Sequence, residues 1–235
     1  MAERPYTVLS CAMSLDGYLA GPDGTPLPLS SDADLDRVDG VRATCDAILV
    51  GAATVRQDNP RLLVRSPARQ DARLAQGLPA SPTKVTLTGG GSLDPGSAFF
   101  VAGATAKLVY CASSALDQTC DRLGAVATVV DGGQPVDVRR VGEDLHDRGV
   151  RRLLVEGGGS VHTQFLTADL VDELQVVVAP FFVGDSRARR FVGNGRFPWD
   201  VRRRAVLADV RRLEDVVLMQ YALSARFCPE ALQEV

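Results

Sequence analysis

The chain has 235 residues, with 46% hydrophobic and 23% charged side chains, which is enough to bury a sizeable core and excludes a disordered chain. Its 26 basic and 29 acidic residues leave a net charge of −3. That balance argues against a surface for nucleic acid, because binding phosphates requires an excess of basic side chains.

The start of the chain and its cysteines indicate the compartment. The first residues carry one acid and one base before a short apolar run, so we expect no signal peptide. No stretch reaches the roughly 18–20 apolar residues that a membrane-spanning helix needs. The five cysteines are odd in number and lack the spacing of metal ligands. We therefore expect a cytoplasmic protein with buried thiols and with neither a metal nor a membrane partner.

Strand-like and helix-like segments alternate along the first half of the chain. Acidic residues after Ser30 and Ser31 mark a helix start. Residues 66–82 are polar, with three prolines and several arginines, and we expect them to form a surface excursion. Strands are predicted over 6–12, 47–50, 84–88 and 107–111, and helices over 32–45, 52–57 and 113–123.

The alternation continues in the second half. Strands that alternate with helices form a mainly parallel sheet covered on both faces. The last two strands are joined by a tight Glu-Asp connection, so they are expected to form an antiparallel hairpin. We predict one α/β domain over residues 1–224, followed by a tail at 225–235. Strands are predicted here over 125–130, 152–156, 173–180, 205–213 and 215–223, and helices over 136–149 and after the glycines at 157–159.

The strongest motif follows the strand at 152–156. Glu156 ends this strand, Gly157, Gly158 and Gly159 follow, and a helix opens at Ser160. Glycines let a ligand approach the backbone closely, and the amides at a helix start attract anions. We therefore predict a pyrophosphate site at this turn, although its spacing is not the Rossmann fingerprint. The alternative is a tight turn without a ligand.

A second candidate site lies where another strand ends at Gly51 and opens a helix. Thr54 offers a hydroxyl in the first helical turn, and Asp58 can accept hydrogen bonds from hydroxyls or amides. Arg61 and Arg65 could hold a phosphate through paired donors. The alternative is a short helix, a turn and solvated arginines.

A third segment, residues 14–17, ends the first strand, where ligands bind in open α/β sheets. Asp16 and Gly17 also form a good turn, and their spacing alone favours the turn. His162, in the helix after the glycines, is expected to be structural. The sequence has no Gly-x-Ser-x-Gly elbow, P-loop, metal cluster or pair of catalytic carboxylates. This favours chemistry performed by a bound cofactor, of which hydride transfer is one kind.

An ordered set of short segments carries a family resemblance. The segments are Ser14-Leu15-Asp16-Gly17, Arg42-Ala43, Gly51 with Thr54-Val55, Asp58-Asn59-Pro60-Arg61-Leu62, Glu156-Gly157-Gly158-Gly159, Leu170-Val171-Asp172-Glu173-Leu174 and Ala179-Pro180. In this order they resemble the riboflavin-pathway pyrimidine reductase family, the dihydrofolate-reductase-like domain that many bacteria carry fused to a deaminase. The resemblance covers residues 5–223.

The resemblance implies a fold like dihydrofolate reductase, NADPH as hydride donor and a homodimer. It also implies reduction of a ribosylamino-pyrimidinone 5′-phosphate to the ribitylamino compound, with hydride delivered to the first ribosyl carbon. Cofactor contacts are implied for Gly51, Thr54, Asp58, Gly157, Gly158, Gly159, Ser160 and Val161. Substrate contacts are implied for Arg42, Leu62, Arg65 and Glu156. Asp16, which lines the pocket near the nicotinamide, and Glu156 are the expected catalytic residues.

Two segments depart from the family pattern. Residues 28–31 replace a Trp-Ile-Thr-Ser stretch that borders the pocket, so a dihydropterin, dihydrofolate or secondary metabolite is an alternative substrate. Residues 88–92 replace an Asp-Ser near the adenosine, which leaves the preference for NADPH over NADH open. The sequence carries no zinc-binding motif of the deaminase half. A nucleotide-binding sensor without turnover is the alternative of another class.

Overall fold

The computed structural model describes residues 3–227, so the predicted tail lies outside the described residues beyond Phe227. Within the described residues the chain divides into two compact units, residues 3–5 with Asp39–Leu154, and Tyr6–Val38 with residues 155–227. Helix α1 (Asp32–Ala43) and strand β6 (Arg152–Gly157) each contain residues of both units. Neither unit is therefore a continuous stretch of the chain.

The first unit contains parallel strands that alternate with helices. Its strand order is β5-β4-β3-β2-β6, and β2 pairs with β3, β3 with β4 and β4 with β5, all in parallel. Every residue of β2 is buried, as expected for a parallel strand covered on both faces. The elements are β2 (Ala47–Gly51), α2 (Ala52–Asp58), α3 (Pro67–Ala75), β3 (Thr83–Thr88), α4 (Ala98–Val101), β4 (Lys107–Cys111), α5 (Leu116–Leu123), β5 (Thr128–Asp131) and α6 (Val138–Asp147).

The second unit ends in the predicted hairpin. Its strand order is β1-β7-β9-β8; β1 pairs in parallel with β7, whereas β9 is antiparallel to both β7 and β8. The hairpin turns through Glu214, whose φ is 58°. The predicted α/β fold, mostly parallel with a C-terminal antiparallel hairpin, is confirmed. The elements are β1 (Tyr6–Ser14), α7 (Gly159–Thr167), β7 (Glu173–Ala179), β8 (Val206–Leu213) and β9 (Val216–Ala222).

Residues 66–82 are mostly exposed, as expected for a surface segment, but they contain helix α3, which the sequence pattern did not predict. Ser66 caps the helix by accepting from the amide of Arg69 at 3.5 Å, and a proline occupies its first turn. Arg73 is only 4% exposed and donates to the carbonyls of Ala43, Cys45 and Pro79. The polar composition gave no sign of this helix, because the side chain that the helix buries is an arginine whose guanidinium donates to backbone carbonyls.

Helix α4 is a second element that the sequence pattern did not predict. The side chain of Lys84 is fully buried, and its Nζ donates to the carbonyls of Phe99 and Ala102 at 2.9 and 2.6 Å. These bonds satisfy carbonyls at the end of a helix too short to show periodicity. A lysine on a buried strand therefore ties α4 to β3.

The cysteines follow the prediction only in part. Cys45 and Cys111 are buried and Cys11 is half-buried, whereas Cys120 is exposed on α5. The expectation of buried thiols is therefore wrong for Cys120, since it lies on the exposed side of an amphipathic helix. Cys228 lies outside the described residues.

Candidate functional site

The glycine turn after β6 lies in the second unit. Gly157 ends β6, Gly158 precedes α7 with φ 88° and ψ 120°, and Gly159 is the first helical residue. Glycine adopts such a positive φ without strain. The next residues differ in burial, with Ser160 exposed and Val161 in the core. Because the first amides of a helix have no acceptor within it, this turn offers donors to an anion.

A neighbouring segment explains why Gly159 lacks a side chain. A Cβ at this position would lie 2.3 Å from the carbonyl oxygen of Arg190. Beside it, Thr163 Oγ1 accepts from the amide of Gly193 at 2.8 Å. Residues 190–193 therefore pack along the start of α7, and Gly159 makes this close approach possible.

His162 belongs to the same packing arrangement. Its side chain is buried, and its Nδ1 lies 3.1 Å from the carbonyl oxygen of Phe191. Burial lowers the pKa of His162 to about 4, although the bond to Phe191 acts in the opposite direction. The ring is therefore neutral near pH 7, which agrees with the structural role expected from the sequence.

Asp16 connects the end of β1 to the loop after β7. Its carboxylate accepts from Ser14 Oγ at 2.6 Å and from the amides of Val183 and Gly184 at 3.1 and 2.8 Å. Desolvation acts to raise the pKa of Asp16, but these hydrogen bonds outweigh it and lower the pKa to about 2. Asp16 is consequently ionised near pH 7 and is not a proton donor there.

The segment at 28–31, which departs from the family pattern, contributes to the core of the second unit. Leu29 packs in a buried cluster with Val177 and Leu218. Ser31 Oγ accepts from the amide of Asp34 at 3.2 Å, at the start of α1. These two residues therefore have structural contacts of their own.

In the first unit, Gly51 ends β2 and precedes α2. Thr54 is half-buried on α2, and Asp58 is exposed at the end of that helix. The following residue, Asn59, is left-handed with φ 42°, and its Oδ1 accepts from the amide of Ala98 at 2.6 Å. The end of α2 is thereby tied to the start of α4.

Two of the three first-unit residues expected to bind substrate, Leu62 and Arg65, lie in the loop between α2 and α3, and the third, Arg42, donates to this loop from α1. Leu62 is 3% exposed and left-handed, with φ 48°. Arg42 Nη1 donates to the carbonyl of the next residue, Leu63, at 3.2 Å. Arg65, further along the loop, keeps 56% of its side chain exposed.

The expected site residues form two groups, one in each unit. The group of the first unit is Arg42, Gly51, Thr54, Asp58, Leu62 and Arg65, and that of the second is Asp16, Glu156, Gly157, Gly158, Gly159, Ser160 and Val161. Glu156 is half-buried in β6. The sequence analysis assigned no contact to the side chain of Asp39 or Asn59, because the amides that donate to them, those of Arg65 and Ala98, lie far away in the chain.

Within residues 3–227, no helix is both long and apolar enough to cross a bilayer. The same residues contain no group of three or more His, Cys, Asp or Glu side chains that could hold a metal ion.

The family model and the similar known proteins agree on one family. The model of the RibD C-terminal domain matches residues 5–218. Two archaeal proteins that are similar to this chain are both named 2,5-diamino-6-ribosylamino-4(3H)-pyrimidinone 5′-phosphate reductase. The protein of Archaeoglobus fulgidus is 35% identical over 182 residues, which is 77% of this chain and 83% of that protein. The protein of Methanothermobacter thermautotrophicus is 35% identical over 193 residues, which is 82% and 86%.

Solved structures share the fold. A pyrimidine reductase-like protein of Corynebacterium diphtheriae has a TM-score of 0.77 at 22% identity, over 94% of this chain and 92% of its own. A deaminase/reductase of Thermotoga maritima has a TM-score of 0.75 at 22% identity, and this chain spans only 56% of its length. Because the family model matches most of the sequence and two relatives exceed 30% identity, the chain belongs to the RibD C-terminal domain family.

Proposed function

We propose that this protein is an NADPH-dependent reductase of riboflavin biosynthesis that converts a ribosylamino-pyrimidinone 5′-phosphate to the ribitylamino compound. The observation that carries the proposal is the family match over residues 5–218. Two relatives that this chain covers for more than four-fifths of their length are named for this substrate.

The donors at the start of α7 fit the pyrophosphate of a dinucleotide cofactor. The positive φ of Gly158 and the exposed Ser160 leave an anion-binding helix start of the kind described above. Thr54, in the first turn of α2 after Gly51, and Asp58, at the end of α2, carry groups that can bond the hydroxyls of the cofactor. When bound, NADPH supplies the hydride.

The remaining residues are assigned to the substrate. Arg65, with its exposed guanidinium, binds the 5′-phosphate, because a guanidinium matches phosphate oxygens with paired donors. Arg42 and Leu62 bind beside it, and Glu156 accepts a hydrogen bond from the substrate. Asp16 is ionised, so we assign it to holding the loop that follows β7 rather than to proton transfer.

NADPH oxidation, followed by nicotinamide absorbance, tests this function. The diamino pyrimidine phosphate, its deaminated form and dihydrofolate should be compared side by side. We expect turnover of at least one of the two pyrimidines. Turnover of dihydrofolate alone would move the protein to pterin chemistry, and cofactor binding without any turnover would favour a sensor.

A substitution in the second unit tests the assignment of Glu156. Glu156→Gln removes the charge while keeping the size of the side chain, and we expect it to lower kcat. An unchanged kcat would remove Glu156 from the site. Arg122→Ala, on the exposed side of α5, is a control that should leave kcat unchanged.

We also propose that the protein is a cytoplasmic homodimer that associates through β8. This strand ends the strand order of the second unit, and its Val206, Leu207 and Val210 are 65%, 53% and 52% exposed. An edge strand with exposed apolar side chains can pair with a strand of another chain. The free thiols of the described residues fit a reducing compartment.

A further inference from the structure

The carboxylate of Asp39 lies beneath the loop that carries Arg65. Asp39 belongs to α1 and is 2% exposed. Its Oδ1 accepts from the amide of Arg65 at 2.5 Å, and its Oδ2 accepts from the amide of Ser66 and from Arg69 Nη1, both at 3.1 Å. One buried carboxylate therefore binds two consecutive amides and a guanidinium.

Further bonds fix the loop just before Arg65. The segment between α2 and α3 has no regular structure. Ser81 Oγ accepts from the amide of Val64 at 3.0 Å, and Gln70 Nε2 donates to the carbonyl of Val64 at 2.7 Å. Together with the bonds to Asp39, they set the backbone position of Arg65, whose side chain remains 56% exposed.

The charge of Asp39 acts on the same loop. Desolvation acts to raise the pKa of Asp39, but the amides of Arg65 and Ser66 and the guanidinium of Arg69 outweigh it, so the pKa is lowered. Asp39 is therefore ionised near pH 7. Its Oδ1 also lies 3.7 Å from Arg65 Nε, so it attracts two guanidinium groups that would otherwise repel one another.

We propose that Asp39 is a positioning residue for the substrate phosphate, because it holds the backbone and the guanidinium of Arg65 in the orientation that binds this anion. The identity of the substrate in this inference rests on the proposed function. Asp39 itself does not contact the phosphate, since two negative charges repel one another.

Substitutions at Asp39 and Arg65 test the coupling. Asp39→Asn keeps the volume and one acceptor oxygen but removes the charge. We expect a KM for the phosphorylated pyrimidine that is raised about tenfold, as for one weakened charged hydrogen bond, with kcat and the KM for NADPH unchanged. Arg65→Ala should raise the same KM, and the double variant should be no worse than Arg65→Ala, because both act through one contact.

Asp46→Asn is the matched control. Asp46 Oδ2 likewise accepts from two consecutive amides, those of Arg151 and Arg152, at 2.8 and 2.9 Å. This variant should lower the melting temperature and leave the KM unchanged. If Asp39→Asn raises the KM equally for the phosphorylated and the dephosphorylated pyrimidine, or if its effect adds to that of Arg65→Ala, the inference is wrong.

Calorimetric binding of ribose 5-phosphate separates this inference from the proposed function. A protein that reduces no pyrimidine, but whose binding of ribose 5-phosphate is weakened in both Asp39→Asn and Arg65→Ala, would retain the role of Asp39 while losing the proposed function. A wild type that binds neither ribose 5-phosphate nor the phosphorylated pyrimidine would overturn the inference.

A milder variant covers the case in which Asp39→Asn fails to fold. Ser81→Ala removes the hydroxyl that accepts from the amide of Val64, and it should raise the KM for the phosphorylated pyrimidine by a smaller factor. Circular dichroism checks the fold of each variant. An unchanged KM in a folded Ser81→Ala protein would contradict the role of the loop in placing Arg65.

Discussion

The side chain of Asp16 accepts hydrogen bonds from one hydroxyl and two amides, and these bonds are strongest to the charged carboxylate. Its pKa of about 2 in the folded protein is below the value near 3.9 of an unfolded chain. Its stabilising effect is therefore complete above about pH 4 and is lost as the pH falls towards about 2.

The predicted consequence is a pH-dependent difference between two proteins. Asp16→Asn should have a lower melting temperature than the wild type at neutral pH. The difference between the two melting temperatures should become smaller as the pH falls from about 4 to about 2. Thermal unfolding across this range is the measurement. Asp23→Asn, an exposed carboxyl in the following loop, should show no such narrowing. A constant gap for Asp16→Asn would show that its hydrogen bonds do not depend on the charge.

For a single residue such as Asp16, the spacing of residues in the sequence predicted some features and not others. The position of Asp16 after the first strand was visible in the sequence, and the turn that its spacing favours is present. Its acceptance of the amides of Val183 and Gly184 was not visible, because those residues follow a strand far along the chain.

At the scale of elements, α3 is held to the end of α1 by Arg73. Arg73→Ala would leave the buried carbonyl of Cys45 and the partly buried carbonyls of Ala43 and Pro79 without their donor, and we expect a loss of about 3 kcal/mol in the free energy of unfolding. Urea denaturation measures this loss. The exposed Arg122→Ala on α5 should change stability by less than about 0.5 kcal/mol. If Arg73→Ala also lost less than about 0.5 kcal/mol, water would have replaced the guanidinium as the donor to these carbonyls.

Two helical glycines should respond in opposite ways to alanine. Gly159→Ala places a Cβ 2.3 Å from the carbonyl oxygen of Arg190, so the backbone must shift, and both stability and the affinity for the proposed cofactor, NADPH, should fall. Gly142→Ala, inside α6, brings the Cβ no closer than 3.8 Å to Arg4 Cβ, and it should stabilise by about 0.5–1 kcal/mol. Melting curves and cofactor titrations test both. A neutral Gly159→Ala would mean that residues 190–193 move easily.

The apolar periodicity of the sequence predicted the long helices and strands. It did not predict the burial of Arg73 or the close contact at Gly159. The apolar spacing around Val161 and Phe165 identified α7. The polar composition of α3 concealed a helix, because its buried face depends on Arg73 and not on apolar residues.

For the whole molecule, the exposed apolar side chains of β8 lead to a prediction about assembly. Val210→Lys places a charge on the edge strand, and it should convert the proposed dimer into a monomer of 25.0 kDa. Light scattering after gel filtration measures the mass. Val201→Lys, at a valine that is 88% exposed outside the strands, should stay dimeric. Equal behaviour of the two variants would place the interface elsewhere.

The sequence by itself determined the alternation of strands and helices, the terminal hairpin and the family, because apolar periodicity, glycine turns and ordered motifs are local features of a chain. Only the tertiary structure decided that Asp39 supports Arg65, that Gly159 makes room for Arg190, and that Arg73 is buried. Each of these depends on hydrogen bonds or close contacts between residues distant in the chain, and spacing within one segment carries no information about such partners.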